Sequence, residues 1–251
     1  MLESSLPLMI AVGATFFGAG LVKGVTGMGL PTVAMAVLGA LVSPLVAASL
    51  LVVPSLITNV WQFVSGPAVG PIARRLWPMM LAIVVGALLS AGLLVGGDTR
   101  TTTAALGAAL VGYSVYTLLA RQIQVPAGVE RWLSPVIGGG TGLVTGGTGI
   151  MVIPAVPYLQ ALGLSRDQLV QALGLSFTVS TLALAAGIGV HGAFTLQGIG
   201  LSTLAVLPAL AGMWAGQRLR FRINPAVFRN VFLIGLLLLG IEMVLRPFRH
   251  G

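Results

Sequence analysis

Polar residues interrupt this chain only at long intervals, and the apolar runs between them set its elements. In the first half the runs cover residues 6–22, 28–42, 44–65, 78–96 and 101–120; in the second they cover 135–147, 149–163, 169–190, 195–216 and 226–245. A helix that crosses a bilayer needs about 20 apolar residues, with about 17 as the usual lower limit. The last three runs of each half meet that requirement and read as spanning helices. The opening two runs of each half are short and read as a broken pair, either a re-entrant hairpin meeting near mid-depth or two full crossings.

The break in each pair carries a motif. Gly20-Leu21-Val22-Lys23-Gly24-Val25-Thr26-Gly27-Met28-Gly29-Leu30-Pro31 sits at the first, and Gly142-Leu143-Val144-Thr145-Gly146-Gly147-Thr148-Gly149 follows at a shift of 122 residues. The same shift sets Thr58 and Asn59 opposite Ser180 and Thr181. The chain therefore reads as two related halves, residues 1–123 and 131–251, joined by a connector at 124–130 in one integral membrane body. In lipid every backbone N–H and C=O needs a partner, so a glycine-rich interruption persists only where it is buried in protein or lines a polar cavity. Both breaks are candidate sites.

Composition agrees with the pattern: 57% of the 251 residues are hydrophobic and 7% charged, against about 25% charged in an average soluble domain. This is the profile of an all-α polytopic membrane protein with the lipid bilayer as its surroundings and no room for a soluble catalytic domain. Cysteine is absent, so disulfide and thiolate chemistry are excluded. The start of the chain lacks the basic region of a cleavable signal peptide, and the first apolar run is expected to remain. The net charge of +8 lies in short loops between apolar runs, where it reports topology rather than a nucleic-acid partner. If each broken pair returns to its own side, Arg74, Arg75, Arg121, Arg131, Arg166, Arg218, Arg220, Arg222 and Arg229 share one side, and only Arg100, Arg246 and Arg249 face the other. The positive-inside rule makes the first side cytoplasmic. Both termini are then extracytoplasmic. An odd number of crossings per half makes the repeats inverted, as in many secondary transporters.

Several polar residues are candidates for an anion site. Lys23 is the one lysine of the chain, and a cation within a membrane segment usually serves a pathway; the competing reading has it snorkel to the surface. Its repeat mate is Thr145. An anion between Lys23, the half-helix N-termini and the hydroxyls of Thr26 and Thr148 needs no further charge. Gly24, Gly27, Gly29, Gly146, Gly147 and Gly149 either let the backbone approach the anion or serve close helix packing. Asn59 and Thr178, with Thr58, Gln62, Ser176, Ser180 and Thr181, lie on equivalent spans and either line the cavity or bond back to their own helices. Gln168 and Gln171 read as interfacial. His191 and His250 stand at span ends without partners at metal spacing, and no metal or cofactor is expected. Glu242 and Arg246, four residues apart, form a local ion pair. No span carries paired carboxylates or H-E-x-x-H, which argues against an enzyme.

The duplicated glycine motif at the head of each half, with Pro31 and Pro154 closing the two broken segments, resembles the TauE/SafE sulfite exporter-like family, also called the toluene-sulfonate uptake permease family. The resemblance covers essentially the whole chain. It implies a bacterial inner-membrane transporter, in many members an exporter, of small sulfur-containing anions such as sulfite, sulfonates or sulfoacetate. A passive anion channel is the alternative. The anion, the direction, the coupling ion and homo-oligomerisation stay open.

Overall fold

A computed structural model describes residues 6–119 and 124–249; Glu3, Arg121 and His250 lie outside the described residues. Among the described residues every regular element is a helix: α1 (Leu6–Thr26), α2 (Leu30–Leu41), α3 (Pro44–Val64), α4 (Val69–Gly96), α5 (Thr99–Leu119), α6 (Ala127–Thr148), α7 (Ala155–Ala161), α8 (Arg166–Val190), α9 (Leu196–Leu204), α10 (Val206–Leu219) and α11 (Pro225–Arg249). Among the described residues seven stretches are long and apolar enough to cross a membrane, with α9 and α10 counted as one. Their outward faces carry large apolar side chains, among them Leu81, Leu89 and Leu93. That is stable against lipid, and it fits a polytopic membrane protein.

The broken pairs are less even than their sequence suggests. α1 continues through Lys23 and Gly24 for 21 residues, and α6 starts at Ala127 and runs for 22. At 1.5 Å per residue each is about 31 to 33 Å long, enough for a core about 30 Å thick. The second limbs are the short ones: α2 has 12 residues and α7 has seven. A glycine inside a helix costs about 1 kcal/mol relative to alanine, which close packing against a neighbour offsets, so Gly24 does not end α1. α4 likewise begins at Val69, ahead of the expected start at residue 78, and takes Arg74 and Arg75 into its first turns.

What ends α1 is local hydrogen bonding. Thr26 Oγ1 donates to Val22 O at 2.9 Å and accepts from Met28 N at 3.3 Å, while Gly27 N bonds Lys23 O at 2.8 Å. Gly27 adopts φ 81°, a left-handed conformation that closes a helix cheaply only in glycine. The second motif repeats each step. Thr148 Oγ1 donates to Val144 O at 2.7 Å and accepts from Ile150 N at 3.2 Å, Gly149 N bonds Thr145 O at 2.7 Å, and Gly149 has φ 76°.

The main helix pairs are α1 with α10, α4 with α6, α5 with α11 and α3 with α8. Each joins a helix before the midpoint to one after it, so the two halves interleave. Glycine lies in each of these seams, and most closely in two of them. A Cβ on Gly212 of α10 would stand 2.0 Å from Phe17 O, and one on Gly24 of α1 would stand 2.3 Å from Met213 O. At the α4–α6 seam a Cβ on Gly142 would meet Ile83 O at 2.3 Å, and one on Gly146 would meet Ala87 O at 2.2 Å. Backbones touch there, as in small-residue seams of membrane helices generally.

The ends of the bundle differ. At one end, Arg75 makes a bidentate pair with Glu130 at 2.7 Å and bonds Leu162 O at 3.3 Å, and the α3–α4 turn is held by Gln171 of α8. At the other, Arg246 reaches the end of α2, donating from Nη1 to Ala40 O at 2.8 Å, and pairs with Glu242 at 3.4 Å as its spacing suggests. Asp98 caps α5 between the spans, accepting from Thr101 N at 2.9 Å and Thr101 Oγ1 at 2.5 Å. The hydroxyl bond, first, and the backbone bond hold its carboxyl below the ordinary range.

Candidate functional site

α1 carries Lys23 one turn before its end, on the side facing α3. The side chain is 4% exposed. Its ammonium donates to Thr58 Oγ1 at 3.1 Å and to Asn59 Oδ1. Both acceptors are neutral, and among the described residues Lys23 makes no ion pair. An ammonium has three protons to donate; two are used, and one is left for a ligand.

Beside the ammonium lies a cavity of about 470 Å³. Lys23 and Gly24 of α1, with Gly27 just past its end, meet Thr58, Trp61 and Gln62 of α3 at its wall. α8 adds Asp167, Val170 and Gln171, α10 adds Met213 and Gln217, and Arg220 follows just past the end of α10. Ser65, Gly66 and Pro67 of the α3–α4 turn place its mouth at the bundle end that holds the Arg75–Glu130 pair. Among the described residues two cations and one carboxylate face it, so their balance is positive. That suits a small anion, because an anion beside Lys23 supplies the charge its neutral partners lack.

The wall is braced by amides. Gln62 Nε2 donates to Gly27 O at 3.1 Å and Val170 O at 2.9 Å, tying the tip of the first broken pair to α8. Gln171, which the sequence places at an interface, is buried at 1% exposure. Its Oε1 accepts from Ala68 N at 2.8 Å and its Nε2 donates to Phe63 O at 2.8 Å, satisfying the backbone where α3 ends and the turn begins. Gln168 completes a capping box with Ser165.

A chain of polar contacts leads inward from the ammonium. Asn59 Nδ2 donates to Ser55 Oγ at 2.9 Å, and Ser55 Oγ lies 3.0 Å from Thr181 Oγ1 across the α3–α8 seam. Thr181 Oγ1 sits 3.6 Å from Met151 Sδ, just beyond the second glycine motif. The repeat mates Asn59 and Thr181 thus meet through Ser55, and the tips of both broken pairs touch the same seam.

Of the sequence candidates, Lys23, Gly24 and Gly27 line the cavity and Asn59 holds Lys23 from behind. Thr26 and Gly29 shape the tip without lining it: Thr26 spends its hydroxyl on Val22 O and Met28 O, and Gly29 caps α2 at φ 103°. The second-half residues form a separate group. Thr145 is wholly buried and donates to Ile150 O at 3.1 Å. Gly146 packs on α4, a Cβ on Gly147 would find only Leu93 at 3.8 Å, and Gly149 fits closely against Met35. Thr148 and Thr178 bond back to Val144 O and Gly174 O. Ser55, Asp167, Gln217 and Arg220 went unread as site residues in the sequence. The signal for the last two was their place one and four residues after Gly216, on the seam that also buries Gly24.

A family model described as sulfite exporter TauE/SafE matches residues 12–243. No curated protein and no solved structure matches the chain.

Proposed function

The chain belongs to the sulfite exporter TauE/SafE family, a family of membrane transporters of sulfur anions, and on that premise we propose that it exports small sulfur-containing anions such as sulfite, sulfonates or sulfoacetate by alternating access around Lys23. The observation that carries the reading is a buried lysine with only neutral partners at the wall of a cavity open at one end of the bundle. A membrane cation without a counter-ion is costly unless function retains it, and an anion is the partner that relieves the cost.

The two repeats are inverted. The first broken pair returns at Ala40 to the end marked by Arg246, while the second starts and returns at the opposite end, where Val125 N bonds Ala161 O at 2.9 Å and Ser134 Oγ meets Tyr158 OH at 2.5 Å. The short α2 and α7 favour re-entrant hairpins over paired crossings. The positive-inside rule then makes the mouth of the cavity cytoplasmic, with both termini outside and the protein in the bacterial inner membrane. The cavity faces the compartment from which an exporter loads.

Flux in proteoliposomes tests this. Uptake or efflux of radiolabelled sulfite should saturate with concentration, and taurine, sulfoacetate or sulfate should compete if they share the site. A flux that rises linearly without saturation identifies a passive anion channel instead.

A further inference from the structure

From the surroundings of Lys23 we infer that this protein is an obligate anion exchanger: the binding site changes sides only with an anion on board, so each exported anion is replaced by one carried in. The inference rests on the proposed transport function and adds its driving force.

Among the described residues Lys23 lacks a counter-charge. Lys23 is 4% exposed, and its partners Thr58 and Asn59 are neutral. Behind them stand Ser55 and Thr181, also neutral. Among the described residues the charged groups that share its cavity are Asp167 and Arg220, at the mouth. Among the described residues none of the elements packed on α1 brings a carboxylate within ion-pair distance of it. In the open state, water in the cavity solvates the ammonium. Alternating access requires that cavity to close, and closure expels the water. An empty site would then bury a bare cation among dipoles, which membrane insertion penalises on the order of a hundredfold. A bound anion turns the same site into a neutral pair, and closure proceeds. The empty carrier is the slow form; the loaded carrier is the fast one.

The returning anion is of the class that fits the outgoing one, a small oxyanion able to accept the ammonium's third proton. Coupling then needs neither a membrane carboxylate nor a sodium site. Because the site goes out and comes back loaded, the anion that enters can drive the one that leaves.

The test uses the full chain in proteoliposomes loaded with radiolabelled sulfite, with efflux followed into buffer that either contains unlabelled sulfite or holds only gluconate. The inference expects efflux to rise about a hundredfold when external sulfite is present. Lys23→Gln, checked for folding by its melting transition, should lose this stimulation, because without the charge the empty site pays no penalty; any residual efflux is the same in both buffers. Equal wild-type efflux in the two buffers overturns the exchange inference while leaving the transport function standing. So does efflux into gluconate that appears only under an imposed pH gradient, since the lysine would then return by giving up its proton. Absence of flux under every condition, with sulfoacetate and taurine as well as sulfite, overturns the transport function and the exchange inference with it.

Discussion

Replacing Asn59 with aspartate puts a permanent carboxylate where a neutral oxygen now receives the Lys23 ammonium. The change is nearly isosteric. Asn59→Asp loses the donor to Ser55, but the Ser55 hydroxyl can turn and donate to the carboxylate, so no buried group is stranded. Lys23 gains the counter-ion it lacks, and the ligand-free melting temperature should hold or rise. Anion binding should collapse. Two unit charges 4 Å apart interact by about 4 kcal/mol at an effective dielectric of 20, so an anion seated against Lys23 and next to the new carboxylate loses about a thousandfold in affinity. The assay is thermal unfolding in detergent across a sulfite titration. Wild type should be stabilised with rising sulfite and Asn59→Asp should not respond. A variant that binds sulfite as tightly as wild type refutes the reasoning, since the anion would then lie away from Lys23.

Other outcomes follow from the packing. Asn59→Leu removes the acceptor and strands part of the ammonium, and should cost about 2 to 4 kcal/mol as the loss of one charged and one neutral hydrogen bond, read as a fall in melting temperature. Gly212→Ala drives a Cβ to 2.0 Å from Phe17 O and should cost about 1 to 3 kcal/mol through separation of α1 and α10, whereas Gly13→Ala, inside α1 with open space at its Cβ, should hold the transition or raise it, by up to about 1 kcal/mol of helix propensity. Arg75→Lys keeps the charge but loses the bidentate geometry with Glu130; the pair is partly exposed, so a drop of about 1 kcal/mol or less is expected. The chain has no cysteine, so single-cysteine variants need no prior substitution. Gln62→Cys should react with an impermeant maleimide from the end carrying Arg74 and be protected by sulfite, while Thr145→Cys, wholly buried, should stay unlabelled.

The span pattern was readable because lipid demands unbroken apolar length, and α3, α5, α8 and α11 begin and end within a few residues of their apolar runs. The motif at the two breaks was readable because a repeat at fixed spacing carries its local hydrogen bonds with it, Thr26 and Thr148 alike. The limits of α1 and α4 were not. Gly24 looks like a helix breaker in one dimension and is a contact surface in three, and nothing local announces that Met213 lies against it. The same ambiguity hid the difference between the two motifs. Gly24 and Gly27 edge a cavity, whereas Gly146 and Gly149 are filled against α4 and α2, a distinction set by tertiary neighbours. Lys23 stood out as the single lysine, but its neutral company depended on which face of α3 met α1. Gln171 read as interfacial because glutamine near a helix start usually is; here two backbone groups of the α3–α4 turn claim it.

Whether Lys23 holds the anion is read by ligand-induced thermal stabilisation of the purified protein with sulfite, sulfate, thiosulfate, taurine and sulfoacetate, measured in parallel on wild type and Lys23→Ala. Binding to the folded state raises the transition by mass action. At least one of these anions should raise the wild-type melting temperature with concentration and leave Lys23→Ala unmoved. An anion that stabilises both proteins equally contradicts this, because the anion would then be held without Lys23.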